Sequence, residues 1–257
     1  MKWTSVNNYG EMSRYGAERI FAIINQKIKA RQRVNIGLAT GNTMIKLYAV
    51  LAGMLNQSGL NLEKLASFNL DEYIGPDGNA LPTTDLLSYR KYMTEHFFDL
   101  LDPKRGFKKE NMFYPNATDT AQYDGIIADA GGLDIQLLGI GFNGHIAFNE
   151  PISETKISQD GFAALPSHIV KLSELTIKTN ARLTAGNDLA AVPRHAATMG
   201  MSSILNADDI ILLACFPEQT APLKEIKAGK ISSELPASFL LKHPNSEIAY
   251  TNDIINL

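Results

Sequence analysis

Cysteine is nearly absent. The 257 residues hold a single one, Cys215, so no intramolecular disulfide forms, and its place in the apolar run Ile210–Phe216 reads as a buried small hydrophobe. Long apolar runs are missing as well: none approaches the roughly 20 residues that a membrane-spanning helix needs. Met1–Gly10 is polar where a secretory leader carries its apolar centre, so the expected compartment is the cytoplasm and no membrane partner is expected. Positive charge is not in excess, with 24 Lys and Arg against 27 Asp and Glu and a formal net charge of −3. The chain therefore lacks the basic footprint of a nucleic-acid binder. Its five histidines are scattered at 96, 145, 168, 195 and 243, without a neighbouring His or Cys to complete a metal site. Repeats, heptads, low-complexity tracts and Pro/Gly/Ser-rich linkers are also absent. With 45% apolar residues, ample for a sizeable core, this points to one domain over residues 1–257.

What is present is an alternation of helical and strand patterns. Ala17, Ile20, Phe21, Ile24 and Ile28 recur at spacings of three and four within Met12–Ala30, which predicts an amphipathic helix. The short apolar runs Val34–Ala39, Leu65–Leu70, Leu133–Ile140 and Ile210–Phe216 read as strands. Helical patterns follow the first at Ile45–Leu55 and the last up to about Ala228, and candidate crossover helices lie at Ser88–Leu101 and Thr118–Ala130. Strands that are apolar throughout rather than alternating are buried on both faces, which goes with a parallel sheet covered by helices. The fold class predicted is α/β, a doubly wound and mostly parallel sheet. Gly75–Thr84 and Ser153–Pro166 are too rich in Gly, Pro, Asp and Ser for regular structure and read as long loops beside strand ends.

Ligands of open parallel sheets bind beyond the carboxyl ends of the strands, and three polar clusters fall there. Thr40-Gly41-Asn42-Thr43 before a helix offers backbone N–H groups, hydroxyls and a helix dipole to an anion, or else is a plain helix cap at Thr43. Asp71-Glu72 places two carboxylates at a strand end, where burial suits one of them to proton transfer, unless they form a solvated turn. Gly139-Ile140-Gly141-Phe142-Asn143-Gly144-His145 is followed by Glu150, a carboxylate able to orient an imidazole. The Gly-x-Gly of this stretch is not a full dinucleotide fingerprint.

At these residues the chain resembles the glucosamine-6-phosphate deaminase family, a sugar-phosphate isomerase-like group that also holds galactosamine-6-phosphate deaminase/isomerases and, more distantly, 6-phosphogluconolactonases. The resemblance covers nearly the whole chain and is carried by Ile36–Thr43 (IGLATGNT), Ser67–Tyr73 (SFNLDEY), Leu138–Pro151 (LGIGFNGHIAFNEP), Asn180-Ala181-Arg182, Val192–Gly200 (VPRHAATMG) and Pro236–His243 (PASFLLKH). NGHIAFNEP is the most specific stretch, because the lactonases share its Gly-His pair but not the continuation Phe-Asn-Glu-Pro. The resemblance implies a Rossmann-like sheet and a reaction without a cofactor or metal, in which an aminohexose 6-phosphate and water become a ketohexose 6-phosphate and ammonia. It assigns ring opening to His145, tuned by Glu150 and Asn143, and the proton transfer from C2 to C1 to Asp71. It places substrate and phosphate on Thr40, Gly41, Asn42, Thr43, Glu72, Gly144 and Arg182.

The sequence also departs from that family. Thr220 stands where many relatives carry a phosphate-binding lysine, with Lys224 one helical turn later, and Asn143 stands where some carry aspartate. Gly75–Leu87 and Ser153–His168 are longer than in the glucosamine enzymes, and the tail Lys230–Ser233 with Pro236–Phe239 is nearer the galactosamine branch, so the two sugars are expected equally. The segment Ser153–Lys171 departs from the effector site of allosteric relatives, and activation by N-acetylglucosamine 6-phosphate is not expected. Relatives include monomers and hexamers, which leaves a homo-oligomer open. Two other readings stand beside the deaminase: a non-catalytic sugar-phosphate sensor, disfavoured by the lack of a helix-turn-helix segment, and a lactonase-like hydrolase.

Overall fold

Hydrophobic patterning and helix capping account for most of the elements in the computed structural model, which describes residues 1–257. In chain order these are β1 (Lys2–Val6), α1 (Tyr9–Lys29), β2 (Val34–Leu38), α2 (Ile45–Gln57), β3 (Leu65–Asn69), β4 (Asp71–Ile74), α3 (Tyr89–His96), β5 (Met112–Phe113), α4 (Thr120–Asp129), β6 (Ile135–Leu138), α5 (Gln159–Ala163), β7 (His168–Lys171), α6 (Glu174–Thr184), β8 (His195–Thr198), α7 (Met201–Leu205), β9 (Ile210–Ala214), α8 (Thr220–Lys227) and β10 (Ser246–Thr251). The helix expected from Met12 starts earlier because the Asn8 side chain accepts the Glu11 N–H and caps it. The helix expected over Ser88–Leu101 is shorter: Phe97 leaves helical geometry, and a single 3₁₀ turn follows at Phe98–Leu100.

Seven strands form one sheet in the order β1-β10-β9-β6-β2-β3-β5, and every pairing in it is parallel. This is the predicted doubly wound α/β architecture. Each residue of β2, β3, β6 and β9 is buried, as strands covered on both faces require, and the buried apolar residues of sheet and helices join in one core cluster of 52. From β2 the sheet grows through β3 to one edge and through β6 to the other, so the strand order reverses between β2 and β6. That reversal opens a crevice at their carboxyl ends.

A second sheet, the antiparallel β4-β8-β7, was not expected from the sequence. Leu70 is the pivot between the two: its N–H donates to Leu38 O in the large sheet, and its carbonyl accepts from Met199 N beside the small one. A core of eight residues, including Tyr73, Phe148, Ile177 and Ala181, packs the small sheet against α6. The stretch Ser153–Pro166, expected as irregular, contains the short α5 capped by Ser158. No helix is long and apolar enough to cross a membrane.

Candidate active site

One cavity lies over the crevice between β2 and β6. Its floor is Ala39–Met44 after β2, Leu70 and Asp71 at the β3–β4 junction, and Gly139–Asn143 after β6, with His145, Ala147 and Phe148 beyond them. Tyr89 closes one side, Phe216 and Gln219 another, and α6 covers it with Leu175, Thr176, Thr179, Asn180 and Leu183.

The first expected cluster is a part-buried loop that lines the cavity. Gly41 takes φ +116°, a conformation that favours glycine, and the turn runs through Thr43 into α2. The Thr43 side chain does not cap that helix, whose cap residue is Met44 without a side-chain bond, so the helix-cap reading is set aside. The N–H groups of Gly41, Asn42 and Thr43 have no acceptor in the protein. Three successive free amides ahead of a helix make an anion cradle.

Asp71 and Glu72 face opposite ways because neighbouring residues of a strand alternate. Asp71 is 5% exposed and lines the cavity. Its Oδ1 accepts from Thr198 Oγ1 at 2.5 Å and Phe148 N at 3.1 Å, while Oδ2 has no protein partner. Burial pushes its pKa up to about 7, against the opposing effect of those two hydrogen bonds and of His145. Glu72 does not line the cavity, which corrects its expected place on the substrate. It is fully buried, and its carboxylate accepts from Tyr89 N, Arg90 N and Ser88 Oγ at the start of α3.

His145 is held from its backbone outward. Asn143 Oδ1 accepts the His145 N–H at 3.2 Å, and Asn143 Nδ2 donates to Glu150 Oε2 at 2.7 Å. That same oxygen lies 3.7 Å from His145 Nδ1, which is buried and has no other partner, so Nε2 is the ring nitrogen left to the cavity. Glu150 Oε1 accepts from Thr176 Oγ1 at 2.5 Å and Ser173 N at 3.1 Å. Burial alone would raise the Glu150 pKa, but His145, Thr176 and Ser173 together bring it down to about 2. The imidazole therefore faces a fixed negative charge. Gly141 is required here, since a Cβ on it would lie 2.3 Å from His145 Cε1. Gly144 takes φ +84° and is packed against Leu235, with its backbone turning the loop rather than lining the cavity.

Arg182 is at the rim and not among the lining residues. Its Nη2 pairs with Glu218 Oε1 at 2.7 Å, and its guanidinium lies 5.6 Å from the centroid of the Phe142 ring. Thr220 begins α8 outside the cavity, and Lys224 is exposed on the same helix, likewise outside it. Cys215 is buried as expected, its Sγ 3.7 Å from Thr43 Oγ1. No group of three or more His, Cys, Asp or Glu side chains is placed to hold a metal ion. Thr198, Phe148, Thr176, Ser173, Tyr89 and Gln219 were not singled out by sequence. Ser173 ahead of Glu174 is a helix-start signal, and Thr198 lies in VPRHAATMG, but nothing local ties Thr198 to Asp71. Gln219 joins two loops: its Oε1 accepts from Cys215 N and Phe216 N, and its Nε2 donates to Ile140 O.

A buried carboxylate with a pKa near neutrality, an imidazole backed by an ionised carboxylate, and an anion cradle thus share one cavity. Comparison with known proteins gives the same direction. The family described as glucosamine-6-phosphate isomerases/6-phosphogluconolactonase matches residues 7–154. The chain is 39% identical over 242 residues to a glucosamine-6-phosphate deaminase of Shouchella clausii, covering 93% of this chain and 90% of that one. It is 38% identical over 256 residues to one of Lysinibacillus sphaericus, with 97% and 98% covered. A solved monomeric glucosamine-6-phosphate deaminase superposes with a TM-score of 0.85 at 32% identity, over 99% of this chain and 98% of that one. The 6-phosphogluconolactonase of Trypanosoma brucei, with a TM-score of 0.69 at 21% identity over 98% and 97% of the two chains, shares the fold.

Proposed function

The chain belongs to the family of glucosamine-6-phosphate isomerases and 6-phosphogluconolactonases, and we propose that within it the protein is a deaminase converting glucosamine 6-phosphate and water to fructose 6-phosphate and ammonia. The observation that carries this reading is the convergence of Asp71, pushed up to about 7, with the His145–Glu150–Asn143 network in one cavity. Whole-length relatives named glucosamine-6-phosphate deaminase favour the glucose over the galactose series.

In this reading the phosphate sits on the free amides of Gly41, Asn42 and Thr43, with the hydroxyls of Thr40 and Thr43, and Arg182 reaches it from the rim. His145 Nε2 takes the proton of the anomeric hydroxyl and delivers it to the ring oxygen, opening the pyranose, while Glu150 stabilises the charged ring. Asp71 Oδ2 then removes the C2 proton of the open-chain aldehyde. The C2 ammonium group gives a proton to O1, and a neutral enolamine with a C1 hydroxyl forms. Asp71 returns the proton to C1, leaving a ketimine at C2, and water adds there to expel ammonia and leave the ketone. A carboxylate with a pKa near 7 suits both halves of this transfer, because it accepts and gives back a proton at neutral pH with little driving force lost. A phosphorylated substrate is retained inside the cell, which agrees with a cytoplasmic enzyme of amino-sugar catabolism.

The test is ammonia release from glucosamine 6-phosphate and galactosamine 6-phosphate, coupled to glutamate dehydrogenase, in parallel with hydrolysis of 6-phosphogluconolactone followed by the acid it releases. Ammonia from glucosamine 6-phosphate well above that from its C4 epimer is the expected result. Lactone hydrolysis without ammonia from either sugar would replace the reading, and binding of all three without turnover would make the protein a sensor.

A further inference from the structure

The cavity has an unexpected charge inventory. An aminohexose 6-phosphate brings a dianionic phosphate, yet no lysine or arginine lines the cavity, and the cradle of three amides carries only partial charge. Arg182 holds its guanidinium over Phe142, which lines the cavity. On α6 it follows Thr179 by three residues and precedes Leu183 by one, and both of these line the cavity. Arg182 therefore sits at the edge of the covering face. The Asn42 side chain donates to Leu183 O, which ties this end of α6 to the phosphate loop. Across the mouth, Glu218 lies between Pro217 and Gln219, in the turn from which Phe216 and Gln219 line the cavity.

We propose that Glu218 is an internal anion that competes with the substrate's phosphate for Arg182 and so sets the affinity for phosphorylated sugar. The inference rests on the reading of Arg182 as a phosphate donor. Glu218 is not needed to aim the guanidinium, because the Phe142 ring already holds it at the mouth. The pair is also open to solvent, with the two side chains 51% and 38% exposed. Exposed pairs are weak, whereas a phosphate dianion offers a guanidinium two parallel charge-assisted hydrogen bonds. Arrival of substrate thus exchanges one oxyanion for another on the guanidinium, and the displaced carboxylate is left to solvent.

Glu218→Gln, Arg182→Ala and the double variant are compared with the wild type by calorimetric titration with inorganic phosphate and by KM for glucosamine 6-phosphate. Glu218→Gln is expected to tighten phosphate and lower KM about two- to fivefold with kcat unchanged. Arg182→Ala weakens both, and adding Glu218→Gln to it has no further effect. Unchanged or weakened phosphate binding in Glu218→Gln, beside a loss in Arg182→Ala, would overturn the competition while leaving Arg182 as donor. Phosphate binding unaltered in Arg182→Ala would remove the donor reading and this proposal with it.

Discussion

Asp71 gains a proton more readily in the fold than in an unfolded chain, because burial penalises its charge more than Thr198, Phe148 N–H and His145 offset. As the base it acts ionised, so kcat/KM falls as pH drops through about 7. The Thr198 hydroxyl favours the charged form, and its removal raises the pKa further. In Thr198→Val the acidic limb of the pH–rate profile is therefore expected to move to higher pH, and an unmoved limb would detach Asp71 from it. The same shift has a stability sign: the raised native pKa stabilises the fold fully below the unfolded value of about 4, and this contribution is lost as pH rises through about 7. Gly141 acts through space alone. In Gly141→Ala the new Cβ would sit 2.3 to 2.5 Å from imidazole atoms, so the ring is displaced and kcat is expected to fall about 10²-fold, as misplacements near 1 Å do. Circular dichroism should show the fold retained.

The helices and strands that apolar periodicity predicts, α1, β2, α2, β3, β6, β9 and α8, are the ones whose partners lie next to them or whose buried face repeats regularly. β1 escaped because it is a sheet edge with no buried residue. The segment Asp71-Glu72-Tyr73-Ile74 reads locally as an acidic turn and becomes a strand only by pairing with β8, whose Thr198 is 127 residues away. That pairing decides which carboxylate enters the cavity. Glu72, turned away, caps α3 through three hydrogen bonds from Tyr89 N, Arg90 N and Ser88 Oγ. Glu72→Ala leaves these buried and part-buried donors without a partner, and a loss of about 2–4 kcal/mol in urea unfolding is expected from such a change. KM should rise with it, since Tyr89 beside the cap lines the cavity. Glu72→Gln, which keeps an acceptor, should recover part of both, and full stability in Glu72→Ala would refute the capping role.

Across the whole molecule the site is a product of topology: the reversal between β2 and β6 brings the donor loop and the His145 loop together, and the pivot at Leu70 swings Asp71 in from the second sheet. The His145–Glu150–Asn143 network was legible because its members lie within eight residues of one another, in the stretch Asn143–Glu150. The bond from Thr198 to Asp71, the roof formed by α6 and the pairing of Arg182 with Glu218 were not, since each joins segments far apart in the chain. Asp71, as the group that moves the proton, is the residue on which turnover depends first. The decisive measurement is ammonia release from glucosamine 6-phosphate by the wild type and by Asp71→Asn, whose Oδ1 still accepts from Thr198 and Phe148. The expected result is a fall of at least about 10²–10⁴-fold with inorganic phosphate bound as before. An Asp71→Asn protein that releases ammonia within tenfold of the wild-type rate, taken at about neutral pH, would contradict it.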